Sequence, residues 1–275
     1  MEPVVQRRWW LGEFVGTFLL VFFGCGSLAA AITTGVFSGI AQVALVWGVG
    51  IAIAIHVTGG LSGAHLNPAV TIGFWISGRF PMRGILPYAI IQFLGSFFAC
   101  CVLYLIFQEA IDAFEIRESI VRGQVGSERS AMIFTEFFPN PSIEALQEKI
   151  SMSTAIVAEI FGTFVLMFVI LSLTDEKNQS KPNEMTALFI GLTVSLLICL
   201  LGPITMACLN PARDLAPRIF TFFMGWGGHS FSFNGYGWFA VYVVSPILGA
   251  GLGAWIYRYV FARQLEPPSS ANSSA

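Results

Sequence analysis

Two tetrapeptides carry the chemistry that can be read from this chain: Leu66-Asn67-Pro68-Ala69 and Leu209-Asn210-Pro211-Ala212. Asn is a strong N-cap, and Pro suits the first helical position, where its missing N–H costs nothing. Each motif therefore starts a helix whose N-terminus carries roughly half a positive charge and unpaired N–H groups. Two such ends facing one point would repel cations, hydronium included, while a neutral hydrogen-bonding solute passes. The Asn67 and Asn210 amides would donate to a passing oxygen and orient it, interrupting a proton wire. Arg213 directly follows the second motif. It would add a donor fork at the narrowest point and a further cation barrier, or else form a structural ion pair with Asp214. Glu13 and Glu159 would accept from otherwise unpaired N–H groups of the loops entering the two helices, bracing them; the other reading is a proton-coupling carboxylate. His65, two residues before Asn67, reads as a loop brace or carbonyl-presenting residue. The three histidines lack metal-ligand spacing, so no metal or cofactor is expected. Nothing resembles a Ser/His/Asp arrangement or a paired acid and base, so no enzyme is expected. The single Asn140-Pro141-Ser142 is an ordinary helix cap in a loop.

The elements that must position these residues come in two matching sets. Gly12-Glu-Phe-Val-Gly-Thr-Phe-Leu-Leu-Val-Phe22 aligns without a gap on Ala158-Glu-Ile-Phe-Gly-Thr-Phe-Val-Leu-Met-Phe168, with six of eleven positions identical. Glu159 lies 146 residues after Glu13, and Asn210 lies 143 after Asn67, so the chain is a duplicated unit. Six stretches are long enough to cross a bilayer core of roughly 30 Å. They run over 10–32, 41–60, 86–107, 153–173, 187–205 and 238–261. Three spans per unit is an odd number, so the second unit crosses upside down relative to the first, which places functional sites at the midplane. The apolar runs after each Asn-Pro-Ala, Val70 to Ile76 and Leu215 to Met224, cover only about half the core and dip in as half-helices. The fold class is thus an all-α polytopic membrane protein: six transmembrane helices and two re-entrant half-helices in an inverted repeat.

Composition agrees. Of 275 residues, 14 are Lys or Arg and 16 are Asp or Glu, so 11% are charged, against about 25% in an ordinary soluble domain. Hydrophobic residues make up 55%, Phe alone contributes 26, and the mean hydropathy is +0.73. A net charge of −2 with no basic cluster excludes nucleic acid as a partner. The five cysteines sit in apolar runs and read as buried small hydrophobes. The abundant Phe reads as lipid-facing. Arg7, Arg8, Arg79, Arg83, Lys177, Lys181, Arg258 and Arg263 fall on one side of the six spans, which should be cytoplasmic, with both termini, in the cell membrane. The expected organisation is a cytoplasmic N-terminus over 1–9 and a first three-helix repeat over 10–108. An acidic extracellular loop over 109–152 follows, then the inverted repeat over 153–263 and a disordered cytoplasmic tail over 264–275.

Ser62-Gly-Ala-His-Leu-Asn-Pro-Ala-Val70 together with Asn210-Pro-Ala-Arg-Asp214 resembles the major intrinsic proteins, and within them the aquaglyceroporins or glycerol facilitators. The resemblance runs from about Trp10 to Arg263. It implies a passive channel for glycerol and other small uncharged solutes, with water, in the lipid bilayer, assembled as a homotetramer. Asp214 with Arg218 four residues on looks like the glycerol-conducting branch, as does Phe138-Pro-Asn-Pro141. Trp47 matches the aromatic wall of the family's constriction; an indole face suits the CH groups of a polyol whose hydroxyls accept from Arg213. The second aromatic of a typical glycerol facilitator would fall at Ala207, and its glycine at Ile198. A ring of Trp47, Ile198, Ala207 and Arg213 is closer to plant nodulin-like channels. Tyr242 and Val243 replace the Pro and Leu usual in the glycerol branch. Cys208, beside Ala207, is either a small loop residue or a pore-facing, mercury-sensitive thiol. The alternatives are a water-selective aquaporin, against which Asp214 and the small Ala207 speak, and an ion-coupled secondary transporter.

Overall fold

The protein is described by a computed structural model over residues 8–37, 39–147 and 149–265. The tail beyond 265, Arg7 and Glu148 lie outside the described residues. Among the described residues, six helices are long and apolar enough to cross a membrane. They are α1 (Trp9–Thr34), α2 (Ile40–Ser62), α4 (Ile85–Arg117), α5 (Met152–Leu173), α6 (Thr186–Thr205) and α8 (Gly237–Leu265), the last regular over Ser245–Ile256. The short α3 (Pro68–Ile76) and α7 (Pro211–Thr221) follow the two Asn-Pro-Ala motifs. Both start where the capping argument puts them, with Asn67 and Asn210 as N-caps and Pro at the first position.

Long apolar runs with few charges set the long helices, and local chemistry ends them. Gly35 and Gly63 close α1 and α2 in the left-handed conformation, at φ 69° and 83°. Ser151 caps α5 by accepting from the N–H of Thr154 at 3.2 Å. The expected boundaries are close except in α4, which continues to Arg117, ten residues past Phe107. The segment 108–117 has helical spacing that buries Ile111, Phe114 and Glu115. The outer loop is correspondingly shorter than the expected 109–152.

The two repeats pack alike. The helix pairs α1/α4 and α5/α8 cross at matching glycines. A Cβ on Gly95 would lie 2.4 Å from the Phe14 carbonyl oxygen, and one on Gly249 would lie 2.2 Å from that of Ile160, the repeat equivalent of Phe14. The α2 and α6 helices meet across the repeats at Gly48 and Gly191, whose backbones touch so closely that neither position has room for a methyl group. The interior holds Glu13, Gln92, Glu159, Arg213, Asp214 and Arg218, all buried, while Leu86, Leu105, Phe161, Leu200 and Phe223 stand exposed on the outside. That inversion of polarity is what a lipid environment requires. The phenylalanines are not uniformly lipid-facing as expected: Phe134, Phe137 and Phe220 are core. All five cysteines are free; Cys25, Cys100 and Cys208 are buried, and Cys101 and Cys199 only partly so.

The basic end of the bundle is held by Arg79, which donates to Asp175 at 2.8 Å, and by Arg258, which donates to the Ile76 carbonyl at 2.8 Å. At the opposite end Arg122 ties Asp112, Glu115 and Tyr104 to the Met224 carbonyl. From there the chain turns inward. Residues 130–140, which fall within the expected acidic loop, are buried throughout. An apolar run, Ala131-Met-Ile-Phe134, precedes Thr135 and Glu136, and Phe137-Phe138 follow, so this segment packs into the outer half of the bundle.

Candidate functional site

The tips of the half-helices meet in the middle of the bundle. Asn67 accepts from the N–H of Ala69 at 2.8 Å, and Asn210 accepts from Ala212 at 3.1 Å, so each carboxamide oxygen caps its own helix. The amide nitrogens cross over: Asn67 Nδ2 donates to the Leu209 carbonyl at 2.8 Å, and Asn210 Nδ2 donates to the Leu66 carbonyl at 2.9 Å. One N–H of each amide is spent in this exchange, and one remains for a solute.

The loops entering the half-helices are strained. Ala64 and Leu66 have φ of 49° and 53°, and Met206, Ala207 and Leu209 have 62°, 58° and 55°. Left-handed conformations in non-glycine residues cost on the order of 1–3 kcal/mol each and persist only where the surroundings impose them. Glu13 and Glu159 face the N–H groups concerned. Glu13 accepts from His65 N at 2.9 Å and Leu66 N at 2.8 Å, with Gln92 Nε2 at 2.8 Å. Glu159 accepts from Cys208 N at 3.0 Å, Leu209 N at 2.8 Å and Thr205 Oγ1 at 2.6 Å. The backbone donors are repeat equivalents, His65 and Leu66 matching Cys208 and Leu209. A cavity runs along the chain of carbonyl-bearing residues that results, from Gly63 to Leu66 and from Met206 to Leu209. Gly16 and Gly162 make room for this arrangement: a Cβ there would lie 2.4 Å from Leu66 Cδ2 and 2.7 Å from Leu209 Cδ2.

The cavity has a volume of about 180 Å³. Its wall includes Trp47, Ile198, Ala207, Arg213, Asn67, Asn210, His65 and Cys208, so the four expected constriction residues share one space with both motifs. Apolar side chains of α2, α5 and α6, among them Ile51, Leu166 and Ile190, supply the remaining wall. The guanidinium of Arg213 lies 4.6 Å from the centre of the Trp47 ring, itself backed by Gly24, where a Cβ would sit 2.4 Å from the indole. The imidazole of His65 stacks on Phe74 with centres 4.6 Å apart, and its Nδ1 is 3.2 Å from Thr71 Oγ1. Cys208 Sγ is 3.3 Å from the Asn210 carbonyl oxygen.

The expected alternative of an Arg213–Asp214 ion pair is not what forms. Successive residues of a helix point about 100° apart, and Asp214 instead meets Arg218 one turn on, with contacts of 2.9 and 2.8 Å. Asp214 also accepts from Thr135 Oγ1 at 2.9 Å and Glu136 N at 2.8 Å, while Arg218 donates to the carbonyls of Glu136 and Ser230. The two residues thus clamp the inward-turned outer segment. Arg213 donates to the Phe134 carbonyl at 2.9 Å and pairs with Glu136 Oε1 at 2.5 Å. Glu136 and Asn140 line the cavity, and sequence reasoning missed both. A signal existed for Glu136, a lone carboxylate inside an apolar run. Asn140 is not a helix cap: it accepts from Ser142 N at 3.0 Å in a loop turn and donates to the Gly202 carbonyl at 3.0 Å.

Comparison with known proteins agrees with this geometry. The family model described as "Major intrinsic protein" matches residues 2–257. The propanediol uptake facilitator PduF of Salmonella typhimurium is 38% identical over 254 residues, which cover 92% of this chain and 93% of that protein. The glycerol uptake facilitator protein of Escherichia coli is 38% identical over 256 residues, covering 93% and 88%. Among solved structures, the aquaglyceroporin from Plasmodium falciparum superposes with a TM-score of 0.79 at 30% identity, covering 94% of this chain and 98% of that one.

Proposed function

The chain belongs to the major intrinsic protein family, and on that premise we propose that it is a passive transmembrane channel for glycerol and similar small uncharged solutes, with some water flow. The observation that carries this reading is the meeting of two helix N-termini, tied by reciprocal Asn67 and Asn210 bonds, inside a cavity lined by Trp47 and Arg213. A neutral solute loses water at the cavity mouth and regains hydrogen bonds from the Asn amides, Arg213 and the carbonyls of the strained loops. A cation loses the same water and meets two helix dipoles of unfavourable sign. The hydroxyls of a polyol then face donors and carbonyls, and its CH groups face the apolar wall.

The finer assignments belong to the same reading. Trp47, Ile198, Ala207 and Arg213 form the selectivity ring; Asn67, Pro68, Ala69, Asn210, Pro211 and Ala212 form the central barrier. Glu13, Glu159 and His65 brace the half-helices. The Lys/Arg-rich end, with both termini, faces the cytoplasm, and four copies assemble through the apolar outer faces. Stopped-flow light scattering on proteoliposomes tests the function: glycerol permeability should exceed that of empty vesicles at least about tenfold, and equality would reject the reading. Ala207 is small enough that a water-selective pore is disfavoured, and a water gradient in the same apparatus separates the two.

A further inference from the structure

The side chain of Glu136 has no place in the clamp that holds its segment, because the backbone does that work. The Glu136 N–H donates to Asp214, and its carbonyl accepts from Arg218. The carboxylate goes elsewhere. It is 1% exposed, lines the cavity and lies 2.5 Å from Arg213 Nη2. Among the described residues, neither of its oxygens has a donor in hydrogen-bond geometry. A carboxylate offers about four acceptor positions, and burying them unfilled is costly. Arg213 Nη2 lies against Oε1 and takes up that side of the carboxylate, so the open positions are those of Oε2. The donors free to fill them are those of whatever occupies the cavity.

We propose that Glu136 is a specificity-determining residue of the constriction, accepting a hydroxyl hydrogen from a passing polyol while Arg213 donates to a hydroxyl oxygen of the same molecule. The inference rests on the channel reading above and names the chemistry its narrowest part selects. A hydroxyl gives one hydrogen bond and takes others, so the open Glu136 Oε2 beside the remaining N–H groups of Arg213 matches adjacent hydroxyls on neighbouring carbons. The Trp47 ring beside Arg213 offers apolar surface to the carbon backbone between them. The arrangement also alters the electrostatics: the constriction holds an Arg–Glu pair rather than a bare cation, so the half-helix ends carry more of the cation barrier.

Removing a hydroxyl from the solute and the carboxylate from the protein, separately and together, tests this directly. Propane-1,2-diol is glycerol lacking one hydroxyl. Permeabilities of both are measured in proteoliposomes, less the empty-vesicle background, for wild type, Glu136→Met and Glu136→Ala. The ratio of glycerol to propane-1,2-diol permeability should fall about three- to tenfold in the variants, the scale of one net hydrogen bond. Both permeabilities changing by one common factor would overturn the proposal, since a Glu136 that only steadies Arg213 cannot tell the solutes apart. Where Glu136→Ala fails to fold, Glu136→Met, of similar length and without an oxygen acceptor, decides alone. Wild type passing no glycerol would end the channel reading itself, a failure distinct from an unchanged ratio.

Discussion

Arg213 shows how one side chain serves three neighbours. It donates to the Phe134 carbonyl, pairs with Glu136 and lies over the Trp47 ring, so its plane is fixed and its remaining N–H groups are aimed rather than mobile. Arg213→Ala removes the bulk and the charge together. The constriction widens, and Glu136 is left as an unpaired acceptor that attracts cations. The expected outcome is a proton leak well above wild type in vesicles loaded with a pH-sensitive dye, with glycerol flux retained or raised. Proton conductance equal to wild type would contradict the assigned role. Motif residues of this kind were open to sequence reasoning, because Asn-Pro has a local meaning that needs no tertiary context. Partners were not. Asp214 adjoins Arg213 in sequence yet bonds Arg218, since helical geometry brings residue i to i+4 and not to i+1. Glu136, 77 positions before Arg213, counted as one more acidic residue of a loop.

At the scale of elements, helix lengths other than that of α4 followed from hydropathy, while close crossings depend on single atoms. Gly249 and Gly95 occupy the same place in the two helix pairs, each against a backbone carbonyl that cannot move without shifting its helix. Gly249→Ala should therefore force α8 away from α5 and cost about 1–3 kcal/mol, as overpacking does. Gly59 makes the control. It lies inside α2 with nothing within 4 Å of a new Cβ, so Gly59→Ala should be neutral or slightly stabilising through helix propensity. Thermal unfolding in detergent separates the two, and equal midpoints would remove the packing argument. The outer segment is the element that sequence reasoning placed wrongly. Its sequence reads only as part of an acidic extracellular loop, but Asp214 and Arg218 recruit its backbone into the bundle and its apolar residues follow. Loop charge reports exposure only where the charges themselves stay in water, and Glu136 does not.

For the whole molecule, the inverted repeat leaves two functions to weigh, because transporters also use broken helices at a midplane. A coupled transporter needs its halves to rock about the site and a group to carry the coupling charge. Here the halves are tied at that site: Asn67 donates to Leu209 of the second repeat, and Asn210 donates to Leu66 of the first. Gly48 and Gly191 lock α2 to α6 across the same boundary. A rocking motion would break both reciprocal bonds at once in a low-dielectric interior, leaving the polar ends of two half-helices unsatisfied. The buried carboxylates are committed as well, Glu136 to the charge of Arg213. Glu13 and Glu159 each hold three donors, and Asp214 is bound by Arg218, Thr135 and the Glu136 backbone. Flux should therefore follow the solute gradient alone. Tracer glycerol uptake into proteoliposomes should stay linear far above physiological concentration, reach no more than the outside level, and remain unchanged when a protonophore collapses a pH gradient. Accumulation against a gradient that the protonophore abolishes would mean that the two repeats move against each other after all, and that one of these carboxylates lets go of its donors during the cycle.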